Sequence, residues 1–193
     1  MRMSRSLLNL AVAAFLALTA ISGPATAQGG LARPAVPDVE ALLEELARPD
    51  QNRWQRIEQQ ILRAWARSGS ASVDYIFLRG QLALRAGQME AAIDHFSAVI
   101  DHAPEFAEGW NARATAHYMS NRLGQSLADI EQVLALNPRH FGALSGLGTI
   151  LEQLERPEQA RAAYLAAQAI HPHRPNLREA LSRLDLALAG RAL

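Results

Sequence analysis

The sequence predicts an all-α fold: an α-solenoid of helix-turn-helix repeats closed by a C-terminal capping helix. Three observations predict it. First, matching residues recur at an offset of 34 positions: Ile76, Trp110 and Leu144; Gly80, Ala114 and Gly148; Ala92, Ser126 and Ala160; Pro104, Pro138 and Pro172. A period of this length marks a solenoid, whose units bury their apolar faces only against neighbours. Second, apolar residues inside each period recur every three and four positions, and the run breaks once, at Gly87 or between Asn121 and Gly124. Each unit is therefore two helices and a turn. Third, the chain is 49% hydrophobic but only 6% aromatic, so its core must be built from alanine and leucine. Such a core suits closely packed helices.

Taken in order, the chain begins with a targeting segment at residues 1–27. Arg2 and Arg5 give a basic start, Leu7 to Ile21 is an apolar run, and Ser22, Gly23 and Pro24 bound it. Ala25, Thr26 and Ala27 have small-residue cleavage geometry, so the cut is expected after Ala27, with an uncleaved N-terminal anchor as the alternative. Residues 28–37, with Gly29, Gly30, Pro34 and Pro37, form a flexible lead-in. Residues 38–72 read as a degenerate helix pair, a leading repeat that caps the solenoid. Asp38 caps the first helix through Leu46, with Glu40 in its first turn. Asp50 or Asn52 caps the second, which carries Trp54, Ile57, Ile61, Leu62 and Trp65 at helical spacing and ends at Ser68, Gly69 and Ser70.

Three full repeats follow, at residues 73–106, 107–140 and 141–174. The first places Ile76, Phe77, Gly80, Leu82 and Ala83 on one helix and Ala92, Ile93, Phe96, Val99 and Ile100 on the next. The second has Trp110, Ala114 and Tyr118, then Ser126, Leu127, Ile130, Val133, Leu134 and Leu136. The third has Leu144, Leu147, Gly148, Leu151 and Leu154, then Ala160, Ala163, Tyr164, Ala167 and Ile170. A small residue at 80, 114 and 148 lets the paired helices approach closely. The final segment, residues 175–193, repeats Leu177, Leu181, Leu184 and Leu188 between Arg178, Glu179, Arg183 and Asp185, as expected of a capping helix with a wet outer face.

These residues resemble the tetratricopeptide repeat family, in the form exported by proteobacteria, across residues 73–174. In that family the first helices of successive repeats line a concave groove. Carried over by position, the resemblance implies a groove made from Asp74, Phe77, Gln81, Leu84 and Arg85, then Glu108, Asn111, Thr115, Tyr118 and Met119, then Gly142, Ser145, Thr149, Glu152 and Gln153. Family members that grip a peptide C-terminal carboxylate use basic and amide groups at set positions. Here those positions are Phe77, Gln81, Ala112, Gly142 and Gly146, and none is basic, so that clamp is not expected. The partner-binding residues expected are Phe77, Gln81, Arg85, Glu108, Asn111, Thr115, Tyr118, Met119, Ser145, Thr149 and Glu152. The alternative for Phe77 and Tyr118 is packing between repeats.

Other chemistries are poorly supported. The chain has no cysteine, which excludes disulfides, thiolate metal sites and a cysteine nucleophile. None of the six histidines makes a His-Glu-x-x-His pattern; His171 and His173 flank Pro172 without a third ligand nearby, and His117 suits a buried neutral histidine. Ser145 lacks the Gly-x-Ser-x-Gly spacing because residue 143 is alanine. Asp94 and Asp129 read as solvated faces. All nineteen basic residues are arginine, balanced by nineteen acids, with no basic tract of the nucleic-acid kind. The reading is a non-catalytic scaffold that binds a protein or peptide partner, with no cofactor, no metal, no nucleic acid and no membrane insertion after signal cleavage. It is expected in the periplasm or secreted. A structural subunit of an envelope complex is the second reading, and an enzyme the third.

Overall fold

The computed structural model describes residues 38–191, so the expected targeting segment and lead-in lie outside the described residues. The described chain is all helix: α1 (Val39–Leu46), α2 (Trp54–Trp65), α3 (Ala71–Arg85), α4 (Met89–His102), α5 (Ala107–Met119), α6 (Leu123–Leu136), α7 (Phe141–Gln153), α8 (Pro157–Ile170) and α9 (Pro175–Arg191). Helices α3–α4, α5–α6 and α7–α8 are the three repeats, and α9 closes the last of them by packing on α8. None of the described helices is long and apolar enough to cross a membrane.

Backbone chemistry sets the helix ends. The Asp38 carboxylate accepts from the Glu40 and Ala41 amides at 3.1 and 3.4 Å, the cap expected of it. Arg53 rather than Asp50 or Asn52 is the residue before α2, and no side chain caps that helix. Each repeat turns at the same place. Gly87, Asn121 and Glu155 are 34 positions apart and have φ of 74°, 57° and 56°. The following amides, Gln88, Arg122 and Arg156, bond back to the carbonyls of Ala83, His117 and Leu151 at 2.9, 2.8 and 2.9 Å. This is the Schellman closure, which satisfies carbonyls that the helix end leaves open.

Within a repeat, one pair of positions sets how closely the two helices approach. A Cβ on Gly80 would lie 2.5 Å from the Phe96 ring, and one on Gly148 would lie 2.5 Å from the Tyr164 ring. In the middle repeat the pair is Ala114 and Ile130, both buried. An aromatic ring on the second helix therefore goes with glycine on the first, and a smaller aliphatic goes with alanine. Ser126, 1% exposed, satisfies its hydroxyl by donating to the Ala114 carbonyl at 2.7 Å. Asp129 departs from the expected solvated face. It is 4% exposed and accepts from Arg113 Nε and Nη2 at 2.9 and 2.7 Å, while Arg113 Nη1 reaches Ser97. The pair ties α4, α5 and α6 together, a charge buried only because a fork-shaped partner meets it.

The helix pair α1–α2 forms as expected, but it does not stack on the first repeat. Leu43, Leu46, Ile57 and Ile61, none more than 3% exposed, form a cluster with Phe141 of α7 and Ile170 of α8. Trp65 stacks on His140 with ring centroids 4.6 Å apart, and Trp54 meets His171 and His173. Polar contacts follow the same seam: Glu40 pairs with Arg139, Glu58 with Arg174 at 3.3 Å, and the His173 ring meets the Arg48 carbonyl at 2.9 Å. The hairpin thus spans the inter-repeat turns 137–140 and 171–174 and buttresses the third repeat. The outer face of α3 is left open as a result. Tyr75, Leu78 and Leu82 are 60, 48 and 51% exposed, so Leu82 is not the core residue its spacing suggested. Their equivalents in the second repeat, Gly109, Ala112 and Ala116, are covered by α4.

Candidate protein-binding groove

Helices α3, α5 and α7 contribute the face that the repeat positions assign to the groove. Phe77 is mostly packed, and only an edge of it reaches this face, beside Gln81 and Glu108. It is 5% exposed, with its ring 5.7 Å from that of Phe96 and 5.3 Å from that of Phe106. Its equivalents, Asn111 and Ser145, are polar and stay partly exposed. A large apolar ring at this position turns inward and packs between helices, while its edge still lines the depression toward the hairpin. Tyr118 is half-buried against the cluster of Ala114, Ile130 and Val133, and it also lines the groove.

The remaining expected residues fall into three adjoining sets. At the centre, Asn111, Thr115 and Tyr118 of α5 face Gly142, Gly146 and Thr149 of α7 across a hollow of about 140 Å³, floored by Ile130. Toward α9, Ser145, Thr149 and Glu152 share a second depression with Tyr164, Glu179 and Arg183. Toward the hairpin, the edge of Phe77 with Gln81 and Glu108 shares a third with Leu62 and Arg63 of α2. Arg85 and Met119 lie outside all three and are exposed, Met119 by 55%. The contributions of α2 and α9 were beyond the repeat pattern, because they come from helices that belong to no repeat. The hollow itself had one sequence signal, the glycines at positions 142 and 146, one helical turn apart.

Hydrogen bonds fix much of this face. Glu108 accepts from Asn111 Nδ2 at 3.0 Å and meets His140 Nε2 at 2.9 Å. The other His140 nitrogen accepts from the Ala143 amide at 2.9 Å and so caps α7. With Nδ1 accepting, Nε2 carries the hydrogen that His140 donates to Glu108. Thr115, Ser145 and Thr149 each donate to the carbonyl one turn earlier, at 3.0, 2.8 and 3.1 Å. Glu152 accepts from the Tyr164 hydroxyl at 2.7 Å and from Arg183 at 2.9 Å. Burial beside that carboxylate pushes the Tyr164 hydroxyl up to about 12, so it remains a donor at any physiological pH. Arg183 is held further into its charged form by Glu152.

Among the described residues there is no group of three or more His, Asp or Glu side chains placed to hold a metal. His171 and His173 have their rings 6.1 Å apart, and His171 is fully buried. Burial, with the charges of Arg174 and His173 adding, pushes the His171 imidazole down to about 4. Burial also lowers His117, against the pull of Asp129. Both rings are neutral near pH 7, which matches the buried neutral histidine expected at His117.

The fold has counterparts in known proteins. A family model described as tetratricopeptide repeat matches residues 77–129 and, in a second alignment, 111–175. A TPR repeat-containing protein of Rhizobium etli is 32% identical over 153 residues, covering 79% of this chain and 75% of that one. The Hsp70-Hsp90 organizing protein of Triticum aestivum is 32% identical over 112 residues, or 58% of this chain and 19% of that longer protein. The solved structure of the first TPR of Spaghetti (RPAP3) bound to the HSP90 peptide SRMEEVD has a TM-score of 0.59 and 22% identity, covering 61% of this chain and 93% of that one. Repeat period, Schellman turns and paired small-large positions all agree with these matches, and the chain belongs to the tetratricopeptide repeat family.

Proposed function

We propose that this chain is a non-catalytic scaffold that binds a segment of a partner protein on its concave face. The observation that carries the reading is the central hollow between α5 and α7, apolar at its floor and rimmed by Asn111, Thr115 and Thr149. A concave apolar site with a few polar groups on its rim is the usual form of a recognition pocket. Relatives support the same reading, since one similar structure holds an HSP90 peptide. The five positions where a carboxylate clamp would sit hold no basic residue, so the segment is read internally rather than by its C-terminus.

The reading includes export. The Arg2 and Arg5 start, the apolar run and the Ala25-Thr26-Ala27 end support a cleaved signal and residence in the cell envelope, as in exported proteobacterial repeat proteins. Intact mass of the envelope form is expected to correspond to a chain beginning at Gln28. A chain that retains residues 1–27, or a purely cytoplasmic pool, contradicts export. For the binding half, photoreactive residues at Met119 and Thr115 are expected to crosslink the partner, and those at Ala135 and Ala166 on the second helices are not.

A second reading, a structural subunit using a terminal surface, has one observation in its favour. Tyr75, Leu78 and Leu82 leave the first repeat open at the face where a preceding helix would pack. A photoreactive residue at Leu78 reports on that face in the same experiment.

A further inference from the structure

The central hollow exists because α7 carries glycine at positions 142 and 146. Their equivalents in the second repeat are Glu108 and Ala112, and in the first Asp74 and Leu78. Glycine inside a helix destabilises it by roughly 0.5–1 kcal/mol relative to alanine, so a mid-helix glycine calls for a reason. For Gly148 the reason is the Tyr164 ring, 2.5 Å from where a Cβ would sit. Gly146 has no such neighbour. Its nearest contact would be Ile130 Cδ1 at 3.5 Å, an ordinary van der Waals distance. Packing does not demand glycine there, and what its absence of a side chain produces is the hollow.

Size and charge define what fits. A cavity of roughly 150 Å³ accepts a six-carbon ring, so about 140 Å³ matches a leucine, isoleucine or methionine side chain. The depression toward α9 shares Gly146 and Thr149 with the hollow and contains Glu152, Glu179 and Arg183. Arg183 is engaged with both oxygens of Glu152, at 2.9 Å each. That leaves Glu179, exposed and in no salt bridge among the described residues, as the acidic group of the depression next to the hollow that Arg183 does not engage, with Arg178 nearby on the far side of α9.

We propose that the hollow is the anchor subsite of the groove, taking one leucine-sized aliphatic side chain from a partner segment whose nearby lysine or arginine meets Glu179. This rests on the reading that the concave face binds protein, and it adds what is bound there.

The test uses the full chain and a blocked peptide, Ser-Gly-Leu-Ser-Lys-Gly-Ser, followed by amide NMR shifts. The expected result is shifts at Thr115, Gly146 and Thr149. Alanine in place of the leucine weakens binding roughly fiftyfold, the loss expected for three fully buried carbons. Glutamate in place of the lysine weakens it several-fold. Gly146→Leu fills the hollow and abolishes the shifts, while its melting temperature is no lower than the parent's. Gly146→Ala, a smaller filling, gives a partial loss with the fold intact. Equal binding of the leucine and alanine peptides, shifts outside the groove, or parental binding by Gly146→Leu would overturn the proposal. If Gly146→Leu keeps crosslinking its partner from Met119, the anchor subsite falls and the groove reading stands.

Discussion

At the residue scale, three turn and packing positions explain how one motif tolerates three sequences. The buried contact at 80 and 96, 114 and 130, and 148 and 164 is conserved in volume across the pair rather than in either residue. The third pair gives a direct check. Gly148→Ala puts a Cβ into the Tyr164 ring and is expected to lower stability by about 1–3 kcal/mol, as overpacking does. Adding Tyr164→Ile recreates the arrangement of Ala114 with Ile130 and should recover much of that loss, because residues in contact are not additive. Urea denaturation of the four members of the cycle measures it. An additive result would place the two side chains on different faces. The loss in the single variant should also reach α9, whose Leu177, Leu181 and Leu184 share a cluster with Tyr164. Phe77 and Asn111 occupy one repeat position, yet one is core and the other surface. Position assigns a direction only loosely, and the apolar ring gains more by joining Phe96 and Phe106 than by lining a groove.

At the element scale, the repeats were legible because a solenoid helix pairs with its sequence neighbours, so the 34-residue offset encodes its contacts. The hairpin α1–α2 was legible as two amphipathic helices, and its docking site was not. Nothing in a local pattern says that Trp65 stacks on His140 or that Ile61 faces Phe141, contacts between distant parts of the chain. The hairpin seam also carries a pH dependence. His171 is fully buried against Trp54 and Phe141, with Glu58, His173 and Arg174 as its charged or titratable neighbours. Its folded value of about 4 lies below the usual 6.5. Below pH 6.5 the unfolded chain takes up the proton and the native chain does not. The stability is therefore complete above about pH 6.5 and is lost as pH falls toward 4. The expected loss between pH 7 and pH 5 is about 2 kcal/mol from this group, and His117 acts in the same direction. Denaturant midpoints across that range should fall for the parent and much less for His171→Gln. A parent curve that is flat from pH 7 to pH 5 contradicts the assignment.

At the scale of the whole molecule, the two ends of the solenoid differ. The α9 end presents Arg178, Glu179, Ser182, Arg183 and Asp185 to solvent, with Leu186, 75% exposed, among them. The α3 end stays apolar because the helices that would have covered it brace the third repeat instead. The concave face lies between, narrowed on one side by Leu62 and Arg63 of α2. A partner on this molecule has two surfaces to choose from, and the central claim is that it chooses the groove. Site-specific photocrosslinking decides between them, with reactive groups placed singly at Thr115 in the groove and Met119 one turn beyond it, Leu78 on the open end, and Ala135 and Ala166 on the second helices. The structure predicts the same adduct from Thr115 and Met119, reduced by excess leucine peptide, and little from the other three sites. An adduct formed from Leu78 or the second helices while Thr115 and Met119 stay silent would contradict it.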